Sequence, residues 1–467
     1  MEPKMLNPYI EAWELRELVR GKQVRPREVA EFFLARIKQL NHKLGAFQAV
    51  TAEHALADAA RLEKMSAGDA AALPLFGVAY SLKDLVWTKD IPTTFGSKNY
   101  ENWYAPADAE LAIRLRNSGG ILLGKTTTPE FGARPTTEAG LCAPARNPWN
   151  PAHTAGGSSG GAGVAVAAGM HPVAQGSDGG GSIRIPSACC GIVGLKPSRG
   201  RITFAPQSGE GWGGFSTTGP MARTVRDAAL MLDAMAGAAP GDPYAALPNP
   251  RPFVDSLSAR PKALRIAAIA KTALGPVDPE VAAAFESACA AMRSIGHRVE
   301  TIELDPGKLL MDHVRVVVTA GVGSNRIEKP ELMDPMVRGT WEYGGKILAA
   351  DYIRALAQVH NIAREIVQRL MPYDALLTPT ITRPAVKLGT MAARPERAGE
   401  EIYGWTAFVF PFNATGQPAI TLPNGMTKAG LPIGLQIVGR PYDEAGVIAL
   451  GAAFEQARPW AGRHPAL

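Results

Sequence analysis

Residues 153–201 read HTAGGSSGGAGVAVAAGMHPVAQGSDGGGSIRIPSACCGIVGLKPSRGR. Two glycine-embedded serine clusters dominate this stretch: Gly156-Gly157-Ser158-Ser159-Gly160-Gly161 and Asp178-Gly179-Gly180-Gly181-Ser182-Ile183-Arg184. Each glycine weakens regular structure by roughly 0.5–1 kcal/mol, so glycines this dense are useful only where backbone must come close to something. Three glycine amides ahead of a serine, at a turn, can converge as donors on one point. Between the clusters, residues 162–170 are small enough for a close-packed helix. Apolar runs flank both clusters, which argues against a flexible glycine–serine linker.

The two clusters resemble the core of the amidase signature family. GGSSGG followed by DGGGSIRIPSACCGIVGLKPS fits its motif, and Ser158 and Ser182 keep the interval that family uses between its two catalytic serines. The family's third catalytic member is a lysine in a strand-then-Lys-Asp context, which Phe76-Gly77-Val78-Ala79-Tyr80-Ser81-Leu82-Lys83-Asp84 matches. The similarity runs from about Leu15 to the segment Leu431-Pro432-Ile433-Gly434-Leu435-Gln436. One departure is Gly179, where relatives often carry a larger residue after the aspartate. The resemblance implies an α/β fold: a single domain with a large mixed β-sheet sandwiched between helices. It implies Lys83, Ser158 and Ser182 as catalytic residues and a cis peptide between Gly157 and Ser158. It further implies oxyanion donors among the amides of Gly179, Gly180, Gly181 and Ser182, with Ser159, Asp178 and Arg184 in support. No metal and no organic cofactor is implied.

Composition agrees with such an enzyme. A chain of 467 residues could hold two or three domains, but no low-complexity linker, charge run or repeat divides it. We therefore expect one amidase domain: an N-terminal helical cover (1–70), a signature core (71–235), a proline-rich surface excursion (236–262) and the remaining sheet and helices (263–467). The chain is 46% hydrophobic and 20% charged, enough apolar content for a large core. Its net charge of +6 is spread along the chain, so a nucleic-acid partner is not expected. The four cysteines have neither zinc-like spacing nor disulfide-scaffold density, which fits reduced thiols in a cytoplasm. No secretory signal is expected at the start, where Glu2 and Glu11 flank no apolar segment. No apolar run is long enough for a membrane span. The expected partner is a small amide or carbamate, and the expected state is a monomer or homodimer.

Along the chain, residues 12–20, 27–39 and 52–64 have helical apolar spacing, with a break at 42–47. Residues 74–81 read as a strand delivering Lys83 to its end, where α/β proteins often place chemistry. Residues 110–117 read as a helix. Gly119 to Thr126 formally matches the phosphate-binding pattern G-x-x-x-x-G-K-[ST], but Ile121-Leu122-Leu123 is a buried strand and Pro129 follows where a helix should grow. Gly209-Glu210-Gly211-Trp212-Gly213-Gly214 fits a dinucleotide pattern yet runs into Phe215–Pro220, read as loop, so that reading fails too. Residues 223–235, 279–295 and 345–369 read as helices; 264–270, 297–304, 375–379, 418–423 and 435–438 read as strands. Alternation of this kind is α/β layering.

A serine hydroxyl needs a base within hydrogen-bond reach. Ser158 and Ser159 both sit in G-x-S-x-G patterns, the nucleophile elbow of histidine-dependent hydrolases. The residues before them make a poor strand, and no histidine falls in the core motifs. A lysine acting through a second serine is the alternative, provided that burial keeps Lys83 neutral. Neutral Lys83 then takes a proton from Ser158, Ser158 takes one from Ser182, and Ser182 attacks the carbonyl. Phe204, Trp212, Phe215, Tyr403 and Trp405 are candidates for a greasy substrate pocket. The leading function is hydrolysis of uncharged aryl or alkyl amides, with carbamates and esters sharing the carbonyl geometry. The alternative is the A subunit of a glutamyl-tRNA amidotransferase, which acts within a complex.

Overall fold

The structure, a computed structural model, describes residues 6–138, 140–392 and 398–467. Eleven strands form one mixed sheet: β1 (Phe47–Val50), β2 (Ala79–Lys83), β3 (Ile121–Thr126), β4 (Val173–Asp178), β5 (Val193–Lys196), β6 (Thr217–Ala222), β7 (Arg265–Ala268), β8 (Arg298–Thr301), β9 (Ala375–Pro379), β10 (Ala419–Met426) and β11 (Pro432–Gly439). Their order is β1-β3-β2-β4-β6-β5-β10-β11-β9-β7-β8. Alternation along the strands sorts side chains onto two faces. Tyr80, Leu122, Ile266, Leu377, Ile420 and Leu435 join one apolar cluster. Their chain neighbours join others: Ala79, Ile121 and Leu123 on one half of the sheet, and Ala267, Leu376, Ala419 and Val438 on the other half. Helices cover both faces, giving the sandwiched mixed sheet that the sequence implies.

Three expectations change. The strand before Lys83 starts at Ala79 rather than at residue 74. Pro74 supplies no N–H, and Gly77 takes a left-handed φ of 75°, so the chain turns before it joins the ladder. The stretch Phe215–Pro220 is loop only as far as Ser216; β6 pairs antiparallel with all of β4, setting Pro220 opposite Gln175. There, burial between two neighbouring strands overrides the local turn signal. The N-terminal segment is more than a helical cover, because β1 pairs antiparallel with β3 at the sheet edge.

The proline-rich excursion is irregular but anchored. Phe253 is buried against the core and its backbone N–H donates to Asp233 Oδ1 at 2.5 Å. None of the helices among the described residues is long and apolar enough to cross a membrane.

What positions the site is the parallel pairing of β2 with β4, Tyr80 beside Val173 and Ser81 beside Ala174. Strands running the same way end side by side, so Lys83 and the turn after Asp178 share one end of the sheet. The small-residue helix, Gly160–Ala167, is buried along its entire length. Its first turn lies on backbone: a Cβ on Gly161 would fall 2.4 Å from Ala46 O and 2.5 Å from Thr127 N. Backbone atoms cannot rotate aside as a side chain can. Gly161→Ala should therefore destabilise the protein by about 1–3 kcal/mol despite alanine's better helix propensity, read as a lower denaturation midpoint.

Candidate active site

Lys83 is the last residue of β2, and its side chain is wholly buried. Its Nζ lies 2.7 Å from Ser158 Oγ and 2.9 Å from Ser177 Oγ. Its backbone N–H donates to Gln175 Oε1 at 2.9 Å. Loss of hydration pushes the ammonium pKa down to about 7, partly offset by the negative charge of Asp178.

Ser158 follows a cis peptide from Gly157. Ser159 does not face the cavities; it staples the site. Its Oγ donates to Ser177 O at 3.1 Å and accepts from Ser177 N–H at 3.2 Å, while its own N–H donates to Ser182 O at 3.1 Å. Ser158 and Ser182 both open onto a cavity of about 820 Å³, and Ser182 also opens onto a second of about 510 Å³.

The turn carrying Ser182 is built on a buried ion pair. Arg184 Nε donates to Asp178 Oδ2 and Nη2 to Oδ1, each at 2.9 Å. The same carboxylate accepts from the amides of Gly181 (2.7 Å) and Ile183 (3.2 Å) and from Asn413 Nδ2 (2.8 Å). Burial alone raises a carboxyl pKa; here Arg184, Lys196 and Asn413 outweigh it and hold Asp178 below the usual carboxylate range. The remaining guanidinium donors reach Val409 O, Gln436 Oε1 and Asn413 Oδ1, each at 2.7 Å.

This corrects one expected oxyanion donor. Gly181 has a single N–H, and Asp178 takes it. The amides of Gly179, Gly180 and Ser182 make no hydrogen bond among the described residues and are left as candidates. The pocket expectation also splits. Phe204 and Trp212 line the larger cavity; Tyr403 and Trp212 line the smaller. Phe215 and Trp405 line neither. Phe215 is buried in the core beneath the site, and Trp405 is fully buried, its Nε1 donating to Arg383 O at 2.9 Å. Both are large apolar side chains whose burial supports the wall from behind.

Several residues at the site escape the motif reading. Gln175 and Ser177 both line the larger cavity. Their period-two spacing in β4, which puts both on one face of the strand, is the signal that could have found them. Asn413 directly follows Phe412, the last of three alternating phenylalanines (Phe408, Phe410 and Phe412). Phe95 and Phe131 come together from separate loops, stacked at 6.4 Å, and carry no shared motif. Two arginines, Arg134 and Arg315, line the smaller cavity. Arg134 is paired with Asp334 at 3.3 Å, and Arg315 is exposed. Histidines do not replace Lys83: His171 is buried beside the Phe47 ring with its pKa pushed down to about 3, and neither cavity is lined by a histidine among the described residues.

A buried lysine hydrogen-bonded to one serine, a second serine on a glycine turn and two cavities meeting at that turn make up the candidate site. Residues 28–448 match the family described as Amidase, and the chain belongs to it. It is 38% identical to a putative amidase from Synechocystis sp. over 96% of this chain and 88% of that one. It is 35% identical to an acylamidase from Rhodococcus erythropolis, covering 98% and 97% of the two chains. The structure of a 6-aminohexanoate cyclic dimer hydrolase complexed with substrate superposes with a TM-score of 0.91 at 31% identity, covering 98% of this chain and 99% of that one. The protein is an amidohydrolase acting on carbon–nitrogen bonds other than peptide bonds.

Removing Arg184 while leaving Asp178 strands a buried charge. Arg184→Met should cost about 3–5 kcal/mol. Urea unfolding of the two proteins checks this. A variant within about 1 kcal/mol of the parent would show the pair to be dispensable for folding.

Proposed function

We propose that the protein hydrolyses uncharged aryl or alkyl amides through an acyl-enzyme on Ser182, with Lys83 and Ser158 as its proton relay. The observation carrying this is the 2.7 Å contact between Ser158 Oγ and a fully buried Lys83 whose pKa is lowered to about 7. Near that value the amine is substantially neutral at physiological pH, as a general base must be.

As Ser182 Oγ bonds the carbonyl carbon, its proton passes to Ser158 Oγ and the Ser158 proton passes to Lys83 Nζ. The carbonyl oxygen becomes an oxyanion facing the free amides of Gly179, Gly180 and Ser182, worth a few kcal/mol per well-placed donor. When the C–N bond breaks, Ser158 returns a proton to the leaving nitrogen and recovers its own from Lys83. Water then repeats the cycle on the acyl-enzyme, releasing the acid. Esters and aryl carbamates present the same carbonyl and are secondary candidates.

The lining supports an uncharged substrate: the charged residue described on the larger cavity, Glu210, already accepts from the Gly214 N–H. Phe95, Phe131, Phe204 and Trp212 wall the larger cavity, and Ile402, Tyr403 and Phe410 wall the smaller. Glutamine would need an acidic partner for its ammonium beside a cation for its carboxylate. The smaller cavity has two arginines but no Asp or Glu among the described residues. An unpaired charged or polar group costs a few kcal/mol there, which argues against the amidotransferase subunit.

Two outcomes follow. Ser182→Ala should lower turnover by about 10⁴–10⁶-fold, with Ser159→Ala costing much less, and a fluorophosphonate should label Ser182. Activity surviving in Ser182→Ala, or labelling mapped elsewhere by peptide mass spectrometry, overturns the assignment. Second, because the neutral amine is the active form, kcat/KM for an anilide should fall about tenfold per pH unit below the Lys83 pKa of about 7 and level off above it. A flat or falling profile between about pH 5 and about pH 9 counts against Lys83 as the base.

A further inference from the structure

Trp212 belongs to both chambers at Ser182, together with Gly132 and Gly179. Its ring is held between two glycines on separate elements. A Cβ on Gly179 would lie 2.8 Å from Trp212 Cε3, and a Cβ on Gly321, in the helix Pro306–Gly323, would lie 2.6 Å from Trp212 Cδ1. Any side chain at either position would therefore push the indole out. The backbone is bent to put it there: Trp212 has φ 55°, a left-handed conformation that bulky residues avoid. Phe95 (φ 53°) and Phe131 (φ 52°), which also line the larger chamber, share this conformation. Held backbones of this kind cluster where a side chain must be aimed.

The chemistry divides between the chambers. Ser158 and Ser177 line only the larger one, and Gly180 lines only the smaller. If Ser158 protonates the leaving nitrogen, the amine lies on the larger, aromatic side, and the acyl group lies beyond Trp212 with Ile402, Tyr403 and Phe410.

We propose that Trp212 is the specificity-determining partition of this active site, selecting secondary amides that carry an apolar group on each side of the scissile C–N bond. This rests on the reading of Ser182 as nucleophile and Ser158 as proton donor. A primary amide fills one chamber and leaves the other holding water, so it gains little from the wall. An N-aryl amide meets it from both sides.

The test compares the para-nitroanilide of butyric acid with butyramide on the full chain, taking the ratio of their kcat/KM values so that intrinsic reactivity cancels between variants. Trp212→Ala should lower that ratio about tenfold or more, chiefly through KM for the anilide, while Trp212→Phe keeps it within about threefold. Gly321→Ala, which leaves the indole intact but fills its seat, should shift the ratio in the same direction as Trp212→Ala. It also guards against a Trp212→Ala protein that fails to fold. Fluorophosphonate labelling is run on every protein. Normal labelling at Ser182 with unchanged ratios in Trp212→Ala and Gly321→Ala overturns the partition and leaves the amidase mechanism standing. No labelling of Ser182 in the parent fails the mechanism and the partition together.

Discussion

Asp178 keeps a full negative charge in the protein interior, and the turn that carries Ser182 is folded around it. Left alone, that charge would do two kinds of damage. Its own desolvation is expensive, and its field would draw a proton onto Lys83, whose pKa it raises. Arg184 offsets the first, two 2.9 Å hydrogen bonds satisfying the carboxylate, and the desolvation of Lys83 outweighs the second. The hydrogen bonds of Gly181 and Ile183 to the same carboxylate then fix the turn. The amides of Gly179, Gly180 and Ser182 are left without partners among the described residues. One buried anion thus shapes the turn that carries Ser182, while burial of Lys83 outweighs that anion's pull on its proton.

The sheet explains why these groups meet. Parallel β2 and β4 end at the same edge, and β6 pins β4 along its whole length. Lys83 is therefore set by a strand end rather than by a loop, and its backbone is tied across to Gln175. The cavities, by contrast, are built from connections: the 85–95 and 130–135 loops, the 204–216 loop and the helices Pro306–Gly323 and Pro335–Gly344. Lys83 thus rests on the rigid layer and the cavity walls on what lies over it, so one can vary while the other stays fixed.

That division also decides what the sequence reveals. Local motifs mark Lys83, Ser158 and Ser182 in the sequence, and the structure brings Lys83 to Ser158 and sets Ser158 and Ser182 on one cavity. β9 and the helix Glu110–Asn117 fall where periodicity places them. Trp405 and Phe215 were misplaced for a general reason: an aromatic residue near a site looks the same in sequence whether it faces the cavity or supports the wall. The helix Pro306–Gly323 drew no assignment, its Val316-Val317-Val318 run and three glycines giving weak helix propensity. Tertiary packing supplies what propensity lacks, and Gly321 and Gly323 then serve close approach to Trp212 and to the next helix. Asp178 and Arg184 were legible as orienting residues, but the hold of Asp178 on the Gly181 amide required coordinates.

Three lysines are fully buried near this end of the sheet, and burial lowers the pKa of each: Lys83 and Lys196 to about 7, Lys125 to about 8. Burial alone therefore does not identify a base; hydrogen-bond partners do. Lys125 Nζ donates to Val86 O at 2.8 Å and to the hydroxyls of Thr88 and Thr93, and it pairs with Asp84 at 3.5 Å. Lys196 Nζ donates to Pro197 O at 2.9 Å. Carbonyls and carboxylates only accept, so deprotonating Lys125 weakens contacts that hold the 84–95 loop. Lys83 touches only hydroxyls through its Nζ, and a hydroxyl can donate as readily as it accepts. When Lys83 loses a proton, the Ser158 O–H can turn to its lone pair and no buried group is orphaned. The same contact serves both protonation states, whereas the hydroxyls that Lys125 touches already donate to Ile91 O and Val86 O and Lys196 Nζ touches a carbonyl.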